Sequence, residues 1–201
     1  MKKNRDINKL VREMETLFVF WSDQKLPAPP PVPPPARPED VESRQEAIQF
    51  EFPPSYRLFL SLHNGWVGME KWDVFGVSGM AWDRLHAQYD EDLSYFETQY
   101  QKRGGAKYVA KIRAAEKKKN DDVMYLPDHV PCAVTAGRFY AAFDRHRVGK
   151  DREYPIALVG TGDNVHIRYD NFAHFLEVML GGLSYAVAEL GHDPAKLLAG
   201  K

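Results

Sequence analysis

The sequence predicts an α+β protein. Segments with a helical spacing of apolar residues fill most of the first 119 positions, with short strands between 66 and 77. Strand-like segments then dominate from 123 to 169, and one apolar helix follows them. Helices that precede a run of strands, instead of alternating with single strands, are typical of α+β folds.

Length and composition favour one globular domain. The chain has 201 residues, of which 44% are hydrophobic, so burial can offset chain entropy. Its 27 lysines and arginines nearly balance its 28 aspartates and glutamates, which argues against bulk attraction to nucleic acid or an anionic membrane. The first residues lack the apolar run of a signal peptide, and no stretch approaches the roughly 18 apolar residues of a membrane span. We therefore expect a soluble, cytoplasmic protein.

An amphipathic helix is predicted from about 6 to 23, with Asp6 as its cap. It is expected to pack on the main domain or, alternatively, to bind a partner. Its apolar residues recur at i, i+3, i+4 and i+7: Ile7, Leu10, Val11, Met14, Leu17, Phe18 and Trp21.

Eight prolines between 27 and 38 exclude a helix or an internal strand there and favour extended polyproline II. A stiff connector is expected, with an SH3-type ligand at Pro30-Pro31-Val32-Pro33 as the alternative. The predicted organisation is an N-terminal helix (1–26), a Pro-rich linker (27–38), a main domain (39–187) and a C-terminal tail (188–201).

Within the main domain, helices are predicted from 38 to about 50 and from the proline pair at 53–54 to Asn64-Gly65, which ends the second one. Residues 80 to 119 read as two helices separated by Gly104-Gly105. The last third predicts five strands, of which the final two form a hairpin through 160–163, and a closing helix capped by Asp170-Asn171. The predicted strands are 123–126, 131–134, 138–143, 154–159 and 164–169.

Three stretches resemble the SUKH superfamily, the Smi/Knr-like domains. FPPSYRLFLSLHNG at 52–65 is similar to the family's L-P-x-x-Y-x-x-F-L-x-x-x-N-G helix, with Phe52 where Leu is usual. WDVFG at 72–76 is similar to the strand that follows. The third stretch is the ending of the domain. The family's penultimate strand is similar to Tyr154-Pro155-Ile156, and its S-F-x-x-F-L helix is similar to NFAHFLE at 171–177.

The resemblance spans roughly 39 to 185, with two departures. Gly137-Arg138 stands where members often carry Gly-Asp, and the charged segment from about 84 to 122 has no match in the usual pattern. The resemblance implies a central, mostly antiparallel sheet with helices packed around it. It also implies function: bacterial members are typically immunity proteins that bind and neutralise a toxin, often a nuclease or deaminase, whereas fungal relatives act as regulatory scaffolds. Neither role requires catalysis.

The residues themselves predict no catalytic or metal site and no cofactor. Cys132 is alone, which excludes an internal disulfide and zinc sites with two thiolates, and it is expected to be a buried strand residue. No Gly-x-Ser-x-Gly and no His-Glu-x-x-His is present, and Gly160-Thr161-Gly162-Asp163 reads as a turn and not as a phosphate loop. A metal site or a hydrolase assembled from distant segments stays open. The seven histidines are His63, His86, His129, His146, His166, His174 and His192.

Charge and aromatic residues supply the candidate partner-binding site. An acidic run from 90 to 97 is followed by a basic stretch from 102 to 119, and the two could simply be solvated helix faces that pair with each other. The acidic run could instead enter the phosphate-binding cleft of a nuclease toxin, and exposed aromatics could anchor that interface. The leading hypothesis is toxin immunity, without nucleic-acid or membrane binding; the alternative is a scaffold that uses the N-terminal helix and Pro-rich segment. The predicted site residues are Asp90, Glu91, Asp92, Tyr95, Glu97, Trp66 and Trp82.

Overall fold

The computed structural model describes residues 6–26, 31–69, 71–118, 122–149, 151–160 and 164–200. These residues form seven α-helices, a short 3-10 helix and a six-stranded sheet. The helices are α1 (Ile7–Lys25), α2 (Pro38–Ile48), α3 (Pro54–Leu60), α4 (Met80–Lys102), α5 (Ala106–Lys117), α6 (Phe172–Ala188) and α7 (Pro194–Ala199). The strands are β1 (Trp66–Met69), β2 (Trp72–Val74), β3 (Val130–Thr135), β4 (Tyr140–Phe143), β5 (Ile156–Val159) and β6 (Val165–Tyr169).

The sheet follows the chain. Its strand order is β1-β2-β3-β4-β5-β6, and every neighbouring pair is antiparallel. The predicted α+β class with helices around an antiparallel sheet is confirmed. The hairpin between β5 and β6 forms as expected, although residues 161–163 of its turn lie outside the described residues.

One predicted strand is wrong. Residues 123–126 contribute only an isolated bridge between Val123 and Asn164, and a 3-10 helix, Leu126–Asp128, follows at once. Pro127 explains the difference, because it has no N–H to donate to a strand ladder and suits the first turn of a helix.

Both faces of the sheet are buried. Alternate residues of β4 point to opposite sides, so Ala141 and Phe143 join one core while Tyr140 and Ala142 join the other. The first core is covered by α1, α3 and α6, and the second by α4 and α5. Cys132 on β3 is fully buried, and this burial raises the pKa of its thiol, so it behaves as the small apolar residue that its sequence context predicts.

The N-terminal helix belongs to the first core. α1 packs against α6, α3 and α7, and its apolar stripe from Ile7 to Phe18 is buried. After it, the Pro-rich chain runs beside α3: Ala36 N–H donates to Leu60 O at 2.8 Å, and Asn64 N–H donates to Pro34 O at 2.7 Å. Residues 27–30, including Pro30 of the P-x-x-P motif, lie outside the described residues.

The Asn64-Gly65 motif joins the end of α3 to the residues after β2. Asn64 Oδ1 accepts the Val77 N–H at 2.8 Å, and its Nδ2 donates to Ser78 O at 2.9 Å. Gly65 has φ +75, and it lies directly against Gly76. The two family-like stretches at 52–65 and 72–76 therefore meet in space as one packed corner. None of the described helices has the length and apolar character needed to cross a membrane.

Candidate functional site

The helix α4 carries most of the predicted site residues and has two different sides. Its inner residues Leu85, Tyr89 and Phe96 lie in the second core, each less than a tenth exposed. Its outer residues are exposed and are called the acidic face below: Asp90, Glu91, Tyr95 and Glu97. Tyr95 is 52% exposed, which is unusual for a large aromatic side chain and leaves its ring available to a partner.

Within the described residues 102–118 of the basic stretch, no side chain pairs with the carboxylates of the acidic face. Among the described residues, Asp90, Glu91 and Glu97 make no salt bridge, although α5 with its basic residues packs beside α4. Arg113 of α5 instead makes two hydrogen bonds of 2.6 Å to Asp128. The acidic face therefore keeps its charge available for a ligand of opposite sign.

Asp92 faces inward and does not belong to this surface. It is 2% exposed, and its carboxylate accepts hydrogen bonds from Tyr140 Oη at 2.6 Å and from Arg138 Nη1 at 2.7 Å. Burial, followed by the bond to Asp92, raises the pKa of Tyr140 above its ordinary range. Arg138 therefore supplies a cation to α4 at the position where family members often carry an aspartate.

The substitution Asp92→Asn tests this buried anchor. It removes the charge that Tyr140 and Arg138 share, and we expect a loss of roughly 2–4 kcal/mol in the free energy of unfolding, because a buried charged partner is lost. Urea denaturation followed by circular dichroism measures the effect. Asp90→Asn, on the exposed side of the same helix, should change stability by less than about 0.5 kcal/mol. Equal effects of the two substitutions would contradict the structural role of Asp92.

The two predicted tryptophans occupy different environments. Trp66 is 1% exposed on β1 and packs edge-on against Phe18, with ring centroids 5.3 Å apart, so it does not reach the surface. Trp82 is half-buried near the start of α4, where the Arg44 guanidinium lies 4.7 Å from its ring centroid. The predicted site therefore divides into the acidic face, the partly accessible Trp82, and two buried residues, Trp66 and Asp92.

Beside Trp82 lies a pocket of about 210 Å³, which we call the Arg44 pocket. Arg44 Nη2 contacts His86 Nε2, and the His86 ring lies 3.7 Å from that of Trp82, centroid to centroid. Desolvation, with the charge of Arg44 as a second cause, lowers the pKa of His86 to about 4, so the imidazole is neutral near pH 7. The walls of the Arg44 pocket include Arg44, Phe52, Trp82, His86, Tyr89 and Arg145.

Sequence reasoning missed the Arg44 pocket. Arg44 comes from α2, His86 from α4 and Arg145 from the loop after β4, so their side chains meet only through the tertiary fold. The sequence named His86 only as one of the seven histidines, and nothing around Arg44 set it apart from other helix-surface arginines.

One described group of residues approaches metal-ligand geometry: Glu116, His129 and His146 each place a potential ligand atom within 4.8 Å of the others. His129 Nε2 lies 2.9 Å from Glu116 Oε1, and the Arg145 N–H donates to His129 Nδ1 at 3.2 Å. A neutral imidazole with an accepting Nδ1 carries its proton on Nε2, where it donates to Glu116. A cation at Nε2 would have to displace that proton and break the Arg145 bond, so the geometry is that of a hydrogen-bonded network. Glu116 Oε2 has no hydrogen-bond partner among the described residues.

Comparison with known proteins identifies the family. A family model described as SMI1 / KNR4 family (SUKH-1) matches residues 35–178, which is most of the chain. The chain therefore belongs to the SUKH-1 family. A search of the curated proteins found no match to it. The family match begins after α1, and it includes both the acidic face and the residues that form the Arg44 pocket.

Proposed function

We propose that this protein is an immunity protein that binds a toxin protein, of nuclease or deaminase type, and blocks its active site or an essential surface. Membership of the SUKH-1 family carries the proposal, because bacterial proteins of this superfamily typically have that role. The acidic face of α4 is the proposed contact surface. Asp90, Glu91 and Glu97 would oppose the basic cleft with which a nuclease grips phosphates, and Tyr95 would anchor the contact.

The charge arrangement supports this choice of surface. The three carboxylates are exposed and make no salt bridge to described residues, so binding a basic partner does not first require internal ion pairs to break. The helix that presents them is fixed from behind by Asp92 and by the buried rings of Tyr89 and Phe96, so little ordering is needed on association.

The first test is partner capture. The tagged full chain is used as bait in its native organism, and the product of the neighbouring gene is co-expressed with it. We expect one tight partner whose expression stops growth unless this chain is present. Many weak partners, or a partner without toxicity, would reject the immunity function.

The second test addresses the surface. With that partner in hand, the triple substitution Asp90→Lys, Glu91→Lys and Glu97→Lys should weaken binding by roughly 10- to 100-fold, mostly through a slower association rate. Surface plasmon resonance at two salt concentrations measures both rates. The control replaces three exposed carboxylates outside α4 by lysine, with the same change in net charge: Asp23, Glu46 and Asp151. Equal loss in both triple variants would show that only total charge matters.

The scaffold alternative is less well supported by the geometry. A scaffold that presents α1 to a partner needs its apolar stripe free, yet Leu10, Met14 and Leu17 are fully buried against the rest of the protein. The Pro-rich segment is also in contact with the main domain at Pro33, whose carbonyl oxygen lies 2.9 Å from His63 Nδ1.

A further inference from the structure

The Arg44 pocket has an unbalanced charge. Its lining includes Arg44 and Arg145 together with His86 and His129, and no aspartate or glutamate. His86 is neutral near pH 7, so the permanent positive charges of the lining are those of Arg44 and Arg145, in a chain whose formal net charge is −1. Arg145 is engaged at its Nη2, which donates to Gln49 O at 2.7 Å. Arg44 Nη2 also has a contact, with His86 Nε2, and the Arg44 guanidinium is the one that lies over the ring of Trp82 in the aromatic wall.

Arg44 is held in a costly state. It is half-buried, and desolvation lowers the pKa of its guanidinium. Among the described residues no carboxylate pairs with it; Asp90 influences it only through a longer-range attraction. Its Nε is buried, and no described residue makes a hydrogen bond to it. A desolvated cation with an unused donor is normally compensated by an anion, and the part of the chain that the structure describes does not supply one there.

The other walls determine what kind of anion fits. Aromatic rings of Phe52, Trp82 and Tyr89 border the pocket, and they favour a flat or compact apolar group. The volume of about 210 Å³ lies below the range of about 300–1,000 Å³ typical of drug-sized ligands. A hydrated inorganic anion would leave the aromatic walls uncovered, and an extended peptide would need a longer groove.

We propose that the Arg44 pocket binds a small aromatic monocarboxylate, with its carboxylate on the Arg44 guanidinium and its ring among Phe52, Trp82 and Tyr89. Arginine suits this role because its planar fork can donate two parallel hydrogen bonds to one carboxylate. Neutral His86 contacts the same guanidinium and fixes its direction without adding a competing charge. This binding site differs from the proposed toxin contact, since its cations come from α2 and from the loop after β4, and Asp90 acts on Arg44 only as a longer-range attraction.

The probe for the test is phenylacetate, titrated into the full-length protein by isothermal calorimetry. We expect a dissociation constant below about 1 mM, which is the range that a ligand of this size can reach. Phenylacetamide, which has the same shape without the charge, should bind at least about tenfold more weakly, and acetate, which lacks the ring, should not bind measurably. No binding of phenylacetate, or equal binding of the amide, would overturn the proposal.

Variants locate the site. Arg44→Met should weaken phenylacetate binding by at least about tenfold, and Arg44→Lys, which keeps the charge but loses the fork, by a smaller factor. Arg84→Met is the matched control, because Arg84 is exposed on α4 and its loss changes the net charge equally. If Arg44→Met does not fold, Arg44→Lys decides alone. Unchanged affinity in the Arg44 variants, or equal weakening in Arg84→Met, would reject this pocket as the site.

Discussion

Replacing Gly65 with alanine is expected to cost more than about 3 kcal/mol of folding free energy, a large part of the roughly 5–15 kcal/mol that holds a domain folded. Gly65 has φ +75, where an L-residue pays about 1–2 kcal/mol. An added Cβ would also lie 2.4 Å from Gly76 N, and backbone atoms cannot move aside as a flexible side chain can. Urea denaturation followed by circular dichroism measures the loss.

A matched control separates the two causes. Gly191 has φ +80, but an added Cβ there meets nothing within 4 Å. Gly191→Ala should therefore show the conformational cost alone, about 1–2 kcal/mol. Gly76→Ala approaches the same corner from the other side, since its Cβ would lie 2.5 Å from Asn64 O, and it should be about as damaging as Gly65→Ala. A Gly65→Ala variant no less stable than Gly191→Ala would show that the corner can open.

This corner shows what the sequence could and could not reveal. Asn64-Gly65 was predicted to end a helix, but α3 already ends at Leu60 with Ser61 as its C-cap, and Gly65 forms the corner instead. The contact between Gly65 and Gly76 depends on the tertiary structure, so local sequence could not predict it. The division of residues 80–119 was, in contrast, accessible, because Gly104 and Gly105 both adopt positive φ between α4 and α5.

The inward direction of Asp92 was missed, although a signal existed. Asp92 follows Leu85 and Tyr89 and precedes Phe96 at spacings of three and four residues, which places it on the apolar stripe of α4. The run of acidic residues obscured this, because a carboxylate on an apolar stripe is rare unless it is paired. Its partners Arg138 and Tyr140 lie more than forty residues away, so nothing local could identify them.

The acidic face and the Arg44 pocket both use residues of α4, but the cations of the pocket belong to α2 and to the loop after β4. The acidic face could be predicted from local sequence, because its carboxylates are exposed and form no salt bridge with any described residue. The pocket combines α2, α4 and the loop after β4, so it required the fold. Its key property is that no carboxylate of a described residue pairs with the Arg44 guanidinium, and this depends on the spatial neighbours of Arg44, which sequence order does not reveal.

Replacing Phe18 with alanine is the second large expected effect, and it tests whether α1 is part of the folding unit. Phe18 is 1% exposed and packs against Trp66 of β1, so truncation leaves a cavity in the first core. We expect a loss of about 3–5 kcal/mol in the free energy of unfolding, although α1 lies before the family match at 35–178. Chemical denaturation should show one transition by both far-UV circular dichroism and tryptophan fluorescence.

The neighbouring residue provides the control for this experiment. Val19 is 42% exposed on the same helix, so Val19→Ala changes helix propensity and side-chain size at the surface without opening a cavity. Its effect should stay within about 0.5 kcal/mol. If Phe18→Ala were as mild as Val19→Ala, or if it melted α1 in a separate earlier transition, then the predicted boundary at residue 26 would mark an appendage. A single shifted transition would instead make α1 a structural part of the domain, since the first core would lose stability as a whole.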